Sequence, residues 1–324
     1  MRSFTILCLG VALLAIGPVG CGIDRGGVPA DSSRPAPVVS GRAGVLIGPI
    51  DAKGADSLTI NDIVVSVDSS LLRINRAPVD LSAIGVGQYA VVEGFVTDDT
   101  AAVASLVDVD FEAVGAVARY DAGAGVLVVL GQTVVLDAAT VVAPELAGLD
   151  LGDPMAVGAV RVSGYADGRG NIVATYLGPA MMEPSRLTGF ARNINDNSFG
   201  FSIGPQVVSY ASAAVVELPM QTPQDNQRVT VTGSSNGTTF NVQSLGTAPF
   251  IANDTIDGTL VHMRGIVTST DVNGGFSVGF VPAEFVADAI VGDGDMTVGA
   301  TVEILGEWRA EGQVSVSTLE FISQ

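Results

Sequence analysis

The chain has 324 residues, of which 48% are hydrophobic, 15% are charged and 6% are aromatic, and its formal net charge is −19. This apolar content is enough for several buried cores, while the negative charge repels phosphate backbones and therefore excludes nucleic acid as a partner. Forty glycines and few aromatic residues predict short strands joined by tight turns, so we expect an all-β fold.

The N-terminus has the features of an export signal. Arg2 supplies a positive charge, and residues 4–16 form an apolar run that is too short for a permanent membrane span. The run ends in Gly-Pro-Val-Gly-Cys at residues 17–21, which resembles the lipobox of bacterial lipoproteins, although Pro18 replaces the usual leucine. We predict a signal peptide at residues 1–20 and lipidation of Cys21. The alternative is that another peptidase cuts nearby and Cys21 is incidental.

The cysteine content and the following residues predict where the protein resides. Cys8 lies inside the signal, so Cys21 is the only cysteine expected in the mature chain, and an internal disulfide is excluded. Gly22 follows Cys21 in place of aspartate, which by resemblance to Gram-negative sorting rules implies the outer membrane. Residues 21–42 are rich in glycine, proline and serine and predict a flexible tether. We expect a lipid-anchored cell-envelope protein, displayed in the periplasm or at the cell surface.

One pattern then occurs four times along the chain. A strand that contains a glycine opens each occurrence, and a valine-rich strand that ends in glycine closes it. The opening glycines are Gly48, Gly115, Gly189 and Gly265, and the closing glycines, between 69 and 73 residues apart, are Gly94, Gly164, Gly233 and Gly306. This spacing predicts four copies of one β domain, which we call segments 1 (43–110), 2 (111–180), 3 (185–248) and 4 (256–322).

Within each segment, the pattern of strands and turns predicts a small barrel. Three strands in a meander, an irregular connector and two further strands describe a five-stranded OB-like barrel. The opening glycine is expected to permit a sharp bend, and a barrel of this size fills with its own side chains. Residues 108–112 form a short link that restricts motion, whereas residues 179–184 and 246–257 read as looser connections.

The four segments resemble a bacterial family, domain of unknown function 5666, which occurs in secreted proteins and lipoproteins, often in tandem. The resemblance rests on the glycine spacing, the number of copies and the lipobox, and it spans residues 43–322. Segment 3 departs most from the pattern, because Pro205, Pro219 and Pro223 interrupt its middle. The resemblance implies a fold and an extracytoplasmic location, and it transfers no catalytic residue.

The residues that could act in catalysis or bind a metal all fit structural roles. His262 is the only histidine and lacks cysteine partners for zinc. Ser202 and Ser277 lie in Gly-x-Ser-x-Gly patterns at matching places in segments 3 and 4, without the helix that follows a nucleophile elbow. Residues 193–197 and 293–295 hint at calcium but read as turns. We predict no catalytic residue, no metal site, no cofactor and no enzymatic activity.

Aromatic residues recur near the closing glycines: Phe95, Tyr165 and Trp308 follow them in segments 1, 2 and 4. Such rings either stack on a ligand or cap a barrel core. The leading hypothesis is a non-enzymatic envelope lipoprotein, a string of four barrels used for binding or spacing. Its partners are the membrane, through the lipid anchor, and an envelope protein or polysaccharide. One alternative is a carbohydrate-binding protein that uses these three rings. Further alternatives are a hydrolase with a carboxylate pair and self-assembly through edge strands.

Overall fold

A computed structural model describes residues 41–322 except 168, 181–182, 212, 214, 219, 253 and 273. Within these residues the chain is all-β, with twenty-four strands, one α-helix of four residues and one 3-10 helix of three. In the same part of the chain, no helix has the length and hydropathy needed to cross a membrane. The predicted signal peptide, Cys21 and all but the last two residues of the tether lie outside the described residues.

The strands follow the segments predicted from the sequence. Segment 1 contains β1 (Arg42–Lys53), β2 (Ser57–Ile60), β3 (Ile63–Ser66), β4 (Leu71–Ile74), β5 (Ala77–Pro78), the 3-10 helix Leu81–Ala83, β6 (Tyr89–Asp98) and β7 (Ala101–Val109). Segment 2 contains β8 (Ala113–Asp121), β9 (Val126–Val129), β10 (Gln132–Val135), β11 (Val141–Val142), α1 (Pro154–Val157), β12 (Ala159–Ala166) and β13 (Asn171–Pro179).

Segments 3 and 4 have fewer elements than segments 1 and 2, and their described residues form no helix. Segment 3 contains β14 (Ser185–Asn195), β15 (Gly200–Ile203), β16 (Gln206–Ser209), β17 (Val215–Glu217), β18 (Arg228–Ser235) and β19 (Thr239–Thr247). Segment 4 contains β20 (Leu260–Thr270), β21 (Phe276–Val278), β22 (Val281–Val291), β23 (Thr301–Arg309) and β24 (Gln313–Phe321).

The all-β fold contains two closed five-stranded barrels and additional strands. In segment 1, β1 pairs with β2, β2 with β3, β3 with β7, β7 with β6, and β6 with β1 again. Among these five pairings, only that between β3 and β7 is parallel. Segment 2 repeats the circuit with β8, β9, β10, β13 and β12. The strands of segments 3 and 4 pair in the corresponding order. The all-β prediction is confirmed.

The closing glycines have a direct structural explanation. At Gly94 the register between β6 and β7 shifts, which marks a β-bulge. A Cβ atom at Gly94 would overlap the carbonyl oxygen of Val103 on β7, so only glycine fits there. The same register shift occurs at Gly164, Gly233 and Gly306, each facing a carbonyl oxygen of the last strand of its segment. The periodic glycine of the sequence therefore marks a β-bulge in each of the four segments.

The segments pair with one another through their first strands. The first strand of segment 1, β1, runs parallel to the first strand of segment 4, β20, and joins the two into one twelve-stranded sheet. In the second twelve-stranded sheet, β8 of segment 2 pairs antiparallel with β14 of segment 3. Segment 4 thus folds back onto segment 1, and the described residues fall within a single compact unit.

Apolar side chains near the segment boundaries reinforce these contacts. Phe111 is fully buried in the core of segment 1, although it lies at the start of segment 2. The connection at residues 246–257, which reads as loose in the sequence, carries the buried Ile251 and the partly buried Phe250 into the core of segment 4. The expectation of a looser link is therefore wrong for this stretch, because its apolar side chains pack between segments.

Candidate functional site

The three aromatic residues singled out from the sequence lie in three different places. Phe95 is on β6, opposite Ala43 of β1, and its side chain is 43% exposed. Tyr165, at the end of β12, is partly buried and lines a cavity between segments. Trp308, at the end of β23, is also partly buried and lines a separate cleft. The structure does not bring the three rings together, but two of them each border a space between segments.

Trp308 belongs to a cleft between segments 3 and 4 with a volume of about 230 Å³. We call it the aromatic cleft, and its rings are Phe190, Phe250, Phe280 and Trp308. The ring centroids of Phe190 and Phe280 lie 3.8 Å apart, with the planes tilted by 35°. The amide side chains of Asn226 and Gln227 also line the cleft. Aromatic faces beside neutral hydrogen-bonding groups suit a ligand with both apolar and polar surfaces.

Phe280 takes an uncommon backbone conformation to reach this cleft. It occupies the tight turn between β21 and β22, where Gly279 has φ of 54° and Phe280 has φ of 65°. A bulky residue in the left-handed region is strained, and such strain concentrates at binding sites. The ring packs on Phe190, and the Arg192 guanidinium lies 5.8 Å from its centroid. Sequence reasoning missed Phe280, and the Gly279-Phe280 pair in this turn was the signal that could have revealed it.

A buried ion pair supports the floor of the aromatic cleft. The Arg228 guanidinium lies 4.0 Å from the centroid of Phe250 and donates a hydrogen bond of 2.6 Å to the carbonyl of Ala248. It also donates to the Glu112 carboxylate at 2.5 Å. The side chains of Arg228 and Glu112 are only 6% and 1% exposed. Burial raises the pKa of Glu112, although Arg228 opposes this effect. This pair connects the start of segment 2 to segment 3 and to the link beneath the cleft.

Tyr165 borders a second space, with a volume of about 270 Å³, where segments 1, 2 and 4 meet. We call it the junction cavity. Its apolar lining includes Ile50, Val86, Val141 and Val173, and its polar lining includes Asp51, Asp137, Tyr165, Thr175, Arg264 and Thr301.

Tyr89 holds the three segments together behind the junction cavity. Its backbone N–H donates to Ser163 Oγ of segment 2 at 3.1 Å, and its hydroxyl donates to the carbonyl of Arg264 in segment 4 at 2.7 Å. Its ring meets Tyr165 edge to face, with centroids 5.5 Å apart. Tyr89 itself is buried on segment 1. The cavity therefore exists only when all three segments are folded and docked.

A charged network forms one side of the junction cavity. Arg264 bridges the Glu303 carboxylate at 2.7 Å and the Asp51 carboxylate at 3.3 Å, and His262 Nε2 lies 2.7 Å from Glu303 Oε1. Burial alone would raise the pKa of Glu303, but hydrogen bonds from His262 and Arg264 outweigh it and hold that pKa below its ordinary value. Burial raises the pKa of Asp51, and it raises the pKa of Tyr165 well above the range of a free phenol, which keeps Tyr165 neutral.

The serines of the Gly-x-Ser-x-Gly patterns hydrogen bond to neighbouring strands. Ser202 on β15 accepts from Asn193 Nδ2 at 2.9 Å, and Ser277 on β21 accepts from the Ser269 hydroxyl at 3.0 Å. Each serine lies in the meander of its segment, and β16 or β22 follows its strand. The context that activates a nucleophile elbow, a strand that turns into a helix, does not occur at either position.

Comparison with known families agrees with the repeat pattern. Residues 47–108 and 114–177 each match the model of one family, described as a domain of unknown function (DUF5666). The two matched stretches lie within segments 1 and 2, and each contains its closing glycine at the β-bulge. No curated protein matches the chain. The family model therefore matches residues 47–108 and 114–177 in tandem, which is consistent with tandem repeats of this domain family.

Proposed function

We propose that this chain is a non-enzymatic, lipid-anchored protein of the bacterial cell envelope, and that its four segments are OB-like barrels that act together as one binding module. The observation that carries the proposal is the aromatic cleft, which opens to solvent between two docked segments. The N-terminal signal and the Gly-Pro-Val-Gly-Cys sequence at residues 17–21 support the location.

The lining of the aromatic cleft favours binding over chemical turnover. Rings such as Phe280 and Trp308 offer stacking surfaces, and the amides of Asn226 and Gln227 offer neutral hydrogen bonds. Arg228, the charged residue of the lining, is engaged by Glu112 and by the carbonyl of Ala248. These groups bind and orient a molecule without moving a proton at neutral pH.

A second, more specific candidate is carbohydrate binding in the same cleft. Trp308 was singled out from the sequence as a stacking residue, and the structure lines the cleft with its side chain and three phenylalanines. Sugar rings combine apolar faces with hydroxyl groups, and the cleft offers rings and amides for these two features. Since the formal net charge is −19, neutral envelope glycans are favoured over anionic ones.

Binding is tested by titrating the purified full chain with neutral glycan fragments in a detergent that has no sugar headgroup. Trp308 is the only tryptophan, so its emission reports directly on the cleft. We expect a saturable emission change, and Phe280→Ala should weaken binding several-fold because it removes a stacking face. Phe95→Ala is the matched control, because Phe95 lies on segment 1 outside the cleft lining. Equal loss in both variants, or no emission change with any glycan, would contradict the carbohydrate candidate.

Anchoring and the absence of catalysis are tested separately. Cys21→Ser should move the protein from the membrane fraction to the soluble fraction of cells, because the lipid attachment site is removed. An unchanged distribution would refute the lipoprotein assignment. A glycan turnover that disappears when one serine, acid or His262 is replaced would refute the non-enzymatic proposal.

A further inference from the structure

The junction cavity has the size and position of a ligand site. Its volume of about 270 Å³ corresponds to roughly nine water molecules of liquid, which is in the range of a single sugar ring. Three segments contribute to its walls, and small-molecule sites occur preferentially at such domain interfaces. We infer that this cavity binds one small, neutral polyhydroxyl molecule. The inference deepens the carbohydrate candidate, but it concerns a site separate from the aromatic cleft.

Polar groups of the cavity lining fit the hydroxyls of such a molecule. Asp137 is held in place because its Oδ1 accepts the backbone N–H groups of Ala139 and Thr140 at 2.9 and 3.0 Å. The phenol of Tyr165 is neutral at neutral pH, so it both donates and accepts hydrogen bonds, and burial raises its pKa further above the ordinary value of 10. Val141 and Val173 add an apolar surface for the carbon atoms of the ligand.

The charges around the cavity exclude anionic ligands. Asp51 and Asp137 line it, and Glu303 stands directly behind Arg264. Arg264 directs its N–H groups to Glu303 and Asp51, so its charge is already compensated. A phosphate or carboxylate would face uncompensated negative charge, whereas neutral hydroxyls donate to carboxylate oxygens.

Isothermal titration calorimetry on the purified full chain, in the same detergent, tests this inference. The probes are glucose, galactose, N-acetylglucosamine and inositol, each supplied singly at millimolar concentration. We expect at least one to bind, and Tyr165→Phe should weaken it about three- to tenfold, which corresponds to one lost hydrogen bond. The substitution preserves shape, and thermal unfolding verifies that the variant is folded. Trp308→Phe is the matched control and should leave this affinity unchanged.

The outcomes separate the two sites. A monosaccharide whose affinity falls only in Trp308→Phe binds in the aromatic cleft, which overturns this inference and leaves the proposed function standing. A monosaccharide affinity that falls in Tyr165→Phe and not in Trp308→Phe supports the junction cavity, even if no glycan polymer binds in the aromatic cleft. The inference is also overturned if none of the four probes binds, if Tyr165→Phe leaves the affinity unchanged, or if glucose 6-phosphate binds more tightly than glucose.

Discussion

Replacing Arg228 by methionine should destabilise the chain by about 3–5 kcal/mol, because the change leaves the buried Glu112 carboxylate without its partner. Both side chains lie at the joint between segments 2 and 3, beneath the aromatic cleft. Methionine keeps much of the apolar length of arginine, so the loss of charge and of hydrogen bonds dominates. The substitution therefore measures how firmly this joint is held.

The magnitude follows from the chemistry of Glu112. A carboxylate without a partner in this site takes up a proton, and from the ordinary pKa of 4.5 this costs at most about 3.4 kcal/mol at pH 7. The lost hydrogen bond to the carbonyl of Ala248 adds about 1 kcal/mol, and the lost cation–π contact with Phe250 adds about 1 kcal/mol. Removal of the charged partner raises the pKa of Glu112 further in the folded variant. The variant therefore regains stability as the pH falls towards 4.5, and the penalty is largest at neutral pH.

Urea unfolding of wild type and variant, monitored by circular dichroism and by Trp308 emission, gives the difference in unfolding free energy. Arg76→Met is the matched control. Arg76 also pairs with a glutamate of another segment, Glu217, but at 3.8 Å and with both side chains exposed, so we expect a loss below about 1 kcal/mol. The double variant Glu112→Gln with Arg228→Met should be more stable than the sum of the two single losses implies. Equal losses in Arg228→Met and Arg76→Met, or a penalty that does not change with pH, would refute this reasoning.

Two further substitutions test the fold and the junction cavity. Gly164→Ala should lower the free energy of unfolding by about 3 kcal/mol, because the new Cβ overlaps the backbone carbonyl of Val173. Gly148→Ala, where φ is 79° and the surrounding space is open, should lower it by only about 1 kcal/mol. Thermal unfolding compares the two variants, and equal losses would contradict the role of the closing glycine. Glu303→Gln should destabilise the chain at neutral pH, and this effect should disappear as the pH falls below about 4.5. The pKa of Glu303 is lower in the folded chain than in the unfolded chain. The stability that its carboxylate contributes is therefore present above the unfolded pKa and is lost as the pH falls through the folded pKa. Unfolding midpoints measured across this pH range decide the point, and a difference that persists at low pH would contradict it.

The strands and β-bulges of each segment could be predicted from the sequence because residues within that segment determine them. Each closing glycine, such as Gly94 or Gly233, is required where a β-bulge brings a carbonyl oxygen against its Cα. The requirement recurs in every segment and leaves a regular spacing in the chain. The number of strands in a barrel follows from the same repeated pattern.

The arrangement of the segments could not be predicted in the same way. The parallel pairing of β1 with β20 joins Gly44 to Leu260, and a valine-rich strand edge carries no signal that selects a partner so distant in sequence. Phe250 lies after a proline in a stretch that reads as a linker, yet it packs beside Arg228 and Tyr89. Since both cavities are built between segments, their linings could not be read from any single copy.

The aromatic cleft also shows which site residues the sequence could reveal. Trp308 was found because it follows a closing glycine, whereas Phe190 is simply the residue after an opening glycine. The pairing of Phe190 with Phe280 depends on how segments 3 and 4 dock. Single-copy patterns identify candidate rings, and tertiary contacts decide which of them share a site.

The central claim, that the chain binds a neutral envelope glycan without transforming it, is tested most directly by one titration of the full chain followed through Trp308 emission. The glycan is recovered afterwards and its mass is measured. The account predicts a saturable emission change with a glycan of unaltered mass. A glycan that is shortened during the titration, or an emission that stays constant across neutral glycans, would contradict the claim.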